Sequence, residues 1–572
     1  MKSSNELRTM LRSIDHRSYP AYKSLAGQWQ FDRYVLSIDH VQGDPFASPS
    51  SLHVELFHKV DGFPAAYYKE ACSRIALQDY LTRRLAGQFE RYNFKAKGSG
   101  KSGLLSISRC GQEILERSAC EITETKLIVR FHVGFPAFGR SVNAGDMEKI
   151  LFDFLPRCVE SGLLYARQDK KKVEETVHLA EDQEALRKIL AKEGLVAFVA
   201  NGAVLPRKSG ISDLPMAGSV PFTSPKTLER TFTLPHRGEI TGMAVARGIT
   251  LIVGGGYHGK STLLEAIQSG VYNHIAGDGR EFVLTDDTAV KLRAEDGRSV
   301  RDVDISLFIN DLPNGKDTKV FSTEDASGST SQAAAVIEGM EAGTGLFLID
   351  EDTSATNFMV RDEFMQQVIL REKEPITPFL ERARDLYEQA DISTILVAGS
   401  SGAFFHIADV VLMMDCYRPV DITARVKELC ETHTAPRIQA PGFAVPDFKR
   451  VYPVYRRSER RDARQRGREN RHEHMKVKAS GLESFSLDRE TVNVRYLEQL
   501  TDHEQTDALA CLLRYGLEQV IDGKKTVRQA VEQMMKALDT RGWDAVSGSY
   551  VPCGLARPRI QELYACLDRF RG

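Results

Sequence analysis

The run Leu251-Ile252-Val253-Gly254-Gly255-Gly256-Tyr257-His258-Gly259-Lys260-Ser261-Thr262 constrains this chain more than any other segment. An apolar strand that passes into GxxxxGK(S/T) and then into a helix-forming stretch is the full context a phosphate-gripping loop requires. Glycines let backbone N–H groups wrap around phosphate oxygens, and the following helix adds the positive end of its dipole. The cradle is therefore expected from Gly254, Gly255, Gly256, Tyr257, His258, Gly259, Lys260, Ser261 and Thr262. Lys260 is expected to reach the β- and γ-phosphates of ATP, and the Ser261 hydroxyl to ligate Mg²⁺. His258 reads as loop filler, since such a loop acts mainly through its backbone.

Two further segments belong with the loop. Leu346-Phe347-Leu348-Ile349-Asp350-Glu351 is a buried-strand pattern that ends in two carboxylates. Asp350 is placed to hold the metal, and Glu351 to polarise an attacking water. Ala326-Ser327-Gly328-Ser329-Thr330-Ser331-Gln332 is a small-residue turn before an Ala-rich helix, and Ser327 precedes Asp350 by 23 residues.

Composition sets the class. The 572 residues are 42% hydrophobic and 27% charged, with a net charge of −2, as in ordinary globular enzymes. No run approaches the ~18 apolar residues of a membrane span, and the first residues lack the apolar stretch of a secretory signal. Nine scattered cysteines without CxxC pairs indicate neither a disulfide framework nor a zinc site. A reducing, cytoplasmic setting with no membrane partner is expected.

Along the chain, residues 1–170 mix short strand patterns (Tyr34–Ile38, Leu104–Ile107, Leu127–Phe131) with an amphipathic helix over Tyr68–Glu90. Residues 171–230 read as a long charged helix, the apolar run Leu195–Val199 and a Gly/Pro/Ser-rich stretch. Residues 231–440 alternate strand and helix signals as a parallel sheet demands. Residues 441–478 are basic, and residues 479–572 carry helical patterns over Asp507–Asp522 and Thr526–Arg541. Gly98-Ser99-Gly100-Lys101-Ser102-Gly103 imitates half a phosphate loop, but Lys95 stands where the first glycine belongs, so it reads as a hairpin loop.

From Lys449 to Lys478 twelve basic residues face four acidic ones, a local charge of +8. Arg456, Arg457, Arg460, Arg461, Arg464 and Arg466, interleaved with Tyr452 and Tyr455, suit phosphate neutralisation and stacking on unpaired bases, which favours RNA. The alternatives are a solvated linker whose arginines recognise nothing and a face for a protein or an acidic membrane surface.

The strings GGGYHGKST (254–262), EDGRSV (295–300), FSTEDASGSTSQA (321–333) and LIDEDTSATNFM (348–359) resemble the bacterial family of predicted ATPases of the ABC class. The resemblance implies an α/β fold: an ABC-type P-loop ATPase core with an N-terminal α+β domain and a small, mainly helical C-terminal domain. It implies that Ser327, Gly328 and Ser329 form the signature turn, which contacts the γ-phosphate held by a second subunit, so an ATP-dependent homodimer is expected. A kinetoplastid mitochondrial RNA-binding protein connected with RNA editing resembles the same family, which implies that a basic surface can hold RNA.

Three positions depart from the ABC pattern. Asn357 replaces the usual aspartate after the catalytic carboxylate, and Ser400 falls where a switch histidine is usual. Asn310, after a candidate strand Ile305–Ile309, is the nearest amide to the metal-sensing glutamine position. Two readings follow: an ATPase with Glu351 as base and Lys260 as its cationic partner, or an ATP-gated binding module with little turnover.

Overall fold

In the five-residue strand Leu346–Asp350 every side chain is buried, and four consecutive apolar residues before the closing aspartate require a strand covered on both faces. It belongs to a six-stranded sheet ordered Val290–Leu292, Leu346–Asp350, Ser393–Val397, Ile249–Val253, Val410–Asp415, Arg418–Asp421. The first five strands run parallel and the last turns back antiparallel. The computed structural model describes residues 2–361, 368–369, 373–399, 401–436, 438–455 and 475–572.

The chain divides into two units. The first comprises Met1–Glu184, Pro235–Arg237 and Ser547–Arg557. Its seven-stranded, mainly antiparallel sheet includes Val35–His40, Ser50–Phe57 and Lys126–Val133, and its core includes Trp29, Phe131 and Phe135 together with Leu77, Leu81 and Leu85 of the helix Ala71–Glu90. This is the expected α+β domain. The Gly98–Gly103 loop lies between that helix and the strand Leu105–Ser106, so it is a helix-to-strand connection and not a hairpin. Ser102 Oγ accepts from Ala137 N at 3.0 Å and Ser99 N donates to Ala137 O at 2.9 Å, so these hydroxyl and backbone groups serve the fold.

The second unit comprises Ala185–Leu234, Gly238–Val546 and Pro558–Gly572. Besides the parallel sheet it holds an antiparallel sheet ordered Glu229–Leu234, Gly238–Ala246, Leu195–Ala200, Val283–Thr285. The long charged helix spans Lys170–Lys192, its residues up to Glu184 counted with the first unit and those from Ala185 with the second. Towards the C-terminus, the helices His503–Tyr515, Val527–Arg541 and Ile560–Arg569 accompany a three-stranded meander, Val477–Ala479, Ser484–Leu487 and Glu490–Asn493. Capping boxes at Asp502 and Thr526 start the first two helices.

One expected strand is absent. Ile305–Ile309 forms a helical turn, with Phe308 N and Ile309 N both donating to Ile305 O at 2.9 Å. Asp304 caps it, accepting from Ser306 N at 3.0 Å and from the Ser306 hydroxyl at 2.6 Å. A short buried apolar run has no period to separate turn from strand, and here the acidic cap decides.

Candidate nucleotide site

The parallel order brings the C-terminal ends of Ile249–Val253, Leu346–Asp350, Ser393–Val397 and Val410–Asp415 to one edge, where α/β sheets place their ligands. The chain leaves the first of these strands at Gly254, whose φ is +139°. A Cβ there would stand 2.6 Å from Met414 O, so no other residue fits. The loop then turns through Tyr257, φ +64° and fully exposed, to Gly259 at the mouth of the helix Lys260–Ser269. That helix is held down by Leu263, Leu264, Ala266 and Ile267. Lys260 Nζ donates to Gly254 O at 2.7 Å and Gly255 O at 3.0 Å, lying back across the loop. Ser261 is exposed beside it.

A turn from the neighbouring strand braces the loop. Cys416 N donates to His258 Nδ1 at 3.0 Å, and Tyr417 N donates to His258 O at 3.2 Å. His258 thus has a positioning task that the sequence does not show.

Asp350 is buried at 7% exposure, pairing in register with Val397. Its Oδ1 accepts from Asp352 N at 3.2 Å, and its carbonyl accepts the hydroxyls of Thr353 at 3.2 Å and Ser354 at 2.8 Å. The next carboxylate, Glu351, accepts from Gly399 N at 2.6 Å through Oε2, which fixes its direction. Ser400 lies outside the described residues. Asn310 donates through Nδ2 to Ser306 O at 2.7 Å, and its backbone N–H goes to Pro375 O at 2.8 Å.

Ser327 is the exposed N-cap residue of the helix Gly328–Glu341, its hydroxyl 3.0 Å from Thr330 Oγ1 and 3.4 Å from Ser329 Oγ. One turn along, the fully buried Gln332 donates to Ser354 Oγ at 3.0 Å and accepts from Ala355 N at 2.9 Å. The turn's helix is thereby tied to the segment that follows Asp350 and Glu351. The only sign of this in the sequence is an amide, Gln332, inside an Ala-rich helix, the kind of buried polar residue that needs partners.

The far end of the same helix carries a buried ionic cluster. Arg298 pairs with Glu338, and Arg569 with Glu295. Arg450 Nε lies 2.6 Å from Glu341 Oε2, and its Nη2 2.6 Å from Asp568 Oδ1. Burial pushes the Glu338 carboxyl up, against the pull of Arg298, and the Asp568 charge adds to burial. Asp568 is raised by burial in the same way, opposed by Arg450.

The six arginines Arg456, Arg457, Arg460, Arg461, Arg464 and Arg466 lie outside the described residues. Their neighbours correct part of the expectation. Tyr452 is 5% exposed, its hydroxyl donates to Phe570 O at 3.0 Å and Arg301 covers its ring at 5.2 Å, so it does not stack on bases. Tyr455 packs on Phe570 at 5.5 Å between ring centroids. Arg450 belongs to the ionic cluster and not to a phosphate-binding face.

Three family models match consecutive parts of the chain: "ATPase of the ABC class N-terminal" over residues 4–166, the ABC ATPase "P-loop domain" over 169–449, and "MRB1590 C-terminal domain" over 476–572. The chain belongs to the ATPases of the ABC class. An uncharacterised protein of Methanocaldococcus jannaschii is 35% identical over 194 residues, which cover 31% of this chain and 42% of that protein. The chain thus matches well under half the length of this curated relative. Among solved structures, the ADP conformation of an ATP-binding cassette of an ABC transporter aligns with 41% of this chain and 95% of its own, at 10% identity and a TM-score of 0.26. CbiO1 of Clostridium perfringens, part of an ABC transporter complex, aligns with 42% of this chain and 93% of its own, at 13% identity and a TM-score of 0.25. Among the described residues of this ABC-class ATPase no helix is long and apolar enough to cross a membrane.

Proposed function

We propose that this ABC-class ATPase binds and hydrolyses Mg-ATP between two head-to-tail copies and holds RNA through its basic segment. The observation that carries the reading is the shared sheet edge: the exposed GxxxxGK loop with Lys260 and the carboxylate Glu351, aimed by Gly399 N at 2.6 Å, both stand at strand ends there. The residues suit the cofactor. Backbone N–H groups of Gly255–Gly259 and Lys260 would hold the phosphates, and the oxygen donors Ser261 and Asp350 match the preference of Mg²⁺. When bound, the metal ion would neutralise charge on the transferred phosphoryl group.

Lys260 exchanges its bonds to Gly254 O and Gly255 O for phosphate oxygens. Glu351 accepts a hydrogen bond from the attacking water and sets its direction. Ser327, exposed at its helix N-cap, offers its hydroxyl and the adjacent N–H groups to a γ-phosphate on a second copy. A slower, ATP-gated binding cycle is the second reading, favoured by Ser400 in place of an imidazole.

Light scattering on the Glu351→Gln variant tests the assembly. Saturating ATP is expected to double the mass, and Ser327→Arg to prevent it. A protein that stays monomeric with ATP overturns the head-to-tail site, whereas hydrolysis at the original rate by Glu351→Gln moves the base elsewhere. RNA that binds and changes the hydrolysis rate supports the second half of the proposal, and intact protein that binds no RNA removes it.

A further inference from the structure

His258 and the pair Asp415-Cys416 are 157 and 158 residues apart in sequence, yet the fold sets their donor atoms within 4.8 Å of one another. His258 comes from the phosphate loop. Asp415 ends the strand Val410–Asp415, and Cys416 opens the two-residue turn that returns to Arg418. Both turn residues have positive φ, 47° at Cys416 and 69° at Tyr417, where Asn-Gly would be the usual choice. The conformation is secured by the two bonds to His258 described above. Because Nδ1 accepts the Cys416 N–H, its lone pair already points at the turn, and it lies 3.5 Å from Asp415 Oδ1.

The donor set decides the kind of ligand. One imidazole nitrogen, one thiol sulfur and one carboxylate oxygen make a borderline-soft combination that suits Zn²⁺ and is foreign to Mg²⁺. Tetrahedral zinc with bonds of about 2.0–2.3 Å sets its ligands roughly 3.3–3.8 Å apart. The nitrogen–oxygen separation of 3.5 Å already falls in that range. The sulfur, within 4.8 Å, needs a movement of about 1 Å at most. All three side chains are at least partly open to solvent, so an ion can enter. The sequence alone lacked any such signal, because zinc motifs are recognised by short spacings.

We propose that His258, Asp415 and Cys416 form a three-ligand Zn²⁺ site that fastens the turn after Val410–Asp415 to the phosphate loop. On binding, the Cys416 thiol loses its proton to solvent, and the metal takes the Nδ1 lone pair from the Cys416 N–H. A water completes the tetrahedron, as in three-ligand zinc sites generally. The site is separate from the hard-oxygen position at Ser261 and Asp350 and does not depend on ATP turnover.

Cobalt, a spectroscopic substitute for zinc, tests this on the full, reduced, metal-stripped chain without nucleotide. One equivalent of Co²⁺ is expected to give a sulfur-to-metal charge-transfer band with tetrahedral visible bands, and equimolar Zn²⁺ to bleach them. Cys416→Ser, an exposed position, should remove the charge-transfer band and weaken binding by more than about tenfold. Asp415→Asn should keep the band but weaken binding, and circular dichroism should show both variants folded as the parent is. No band with the parent chain overturns the site, and so does a band that persists in Cys416→Ser, which would place the sulfur elsewhere.

Discussion

Arg450 Nη2 stands 2.6 Å from Asp568 Oδ1 and 2.5 Å from Glu341 Oε2, joining three groups that are 12%, 2% and 2% exposed. Glu341 is the last residue of the helix that begins at the Ser327 turn, so the guanidinium six residues before Arg456 grips the far end of that helix. Removing one member of a buried ion pair strands the other without compensation. Arg450→Met is therefore expected to cost about 3–5 kcal/mol in urea unfolding, with part recovered by adding Asp568→Asn. A loss below about 1 kcal/mol would show that the cluster is solvated.

From a fully buried site Gln332 donates to Ser354 Oγ and Met359 Sδ and accepts from Ala355 N. Gln332→Ala orphans the Ala355 N–H, so a loss of about 1–3 kcal/mol is expected from unfolding measurements. ATP affinity by calorimetry should stay within about twofold, because no loop residue contacts the amide directly. A large affinity loss would mean that the bond positions the nucleotide itself.

Lys260 supplies the side-chain cation of the loop. Replacing it with alanine is expected to weaken ATP binding at least about tenfold, since a charge-assisted phosphate contact is worth ~1.5–3 kcal/mol. Unchanged affinity in a calorimetric titration contradicts the assignment.

Burial holds the Asp507 carboxyl up at about 6, with His503 only partly offsetting it. The folded chain therefore keeps this proton at a higher pH than the unfolded chain, whose carboxyl has its ordinary value near 3.8. The cost is absent below the lower value, grows through the interval and is complete above about 6. Asp507→Asn should then stabilise the protein by about 1–2 kcal/mol at neutral pH, after allowance for partial exposure, and by nothing near pH 3.8. Equal gains at both pH values in thermal melts would assign the effect to packing.

Serine at Arg456, Arg457, Arg460, Arg461, Arg464 and Arg466 should flatten the salt dependence of RNA binding, which falls by about 0.7 per contact on single strands. With Tyr452 buried, the remaining attraction is mainly ionic, so duplex and single strands should differ less than two free tyrosines would allow. Filter binding over a salt series reads both slopes. Unchanged affinity and slope would make the segment a linker.

The loop, the two carboxylates and the Ser327 turn were legible because each is written in contiguous residues with a local physical reason. What stayed hidden depends on partners distant in the chain. Tyr452 looks free beside its arginines, but its hydroxyl partner is Phe570, 118 residues on. His258 reads as filler until the turn at Cys416 arrives beside it. Ile305–Ile309 failed for a different reason: Asp304 and Ser306 specify a turn under an apolar run that matches a strand equally well.

The pairing of Arg569 with Glu295 spans 274 residues. At about 5–20 residues per second, a ribosome needs roughly 14–55 s to make that stretch. Glu295, Arg298, Glu338 and Glu341 are all synthesised well before Asp568 and Arg569, so a nascent chain can have its phosphate loop and Asp350 strand assembled while Glu295 still awaits Arg569 and Arg450 still awaits Asp568. The charged cluster beside the helix Gly328–Glu341 is thus completed last, and a chain that stops before residue 560 leaves the Glu295 carboxylate without its guanidinium beside the finished sheet.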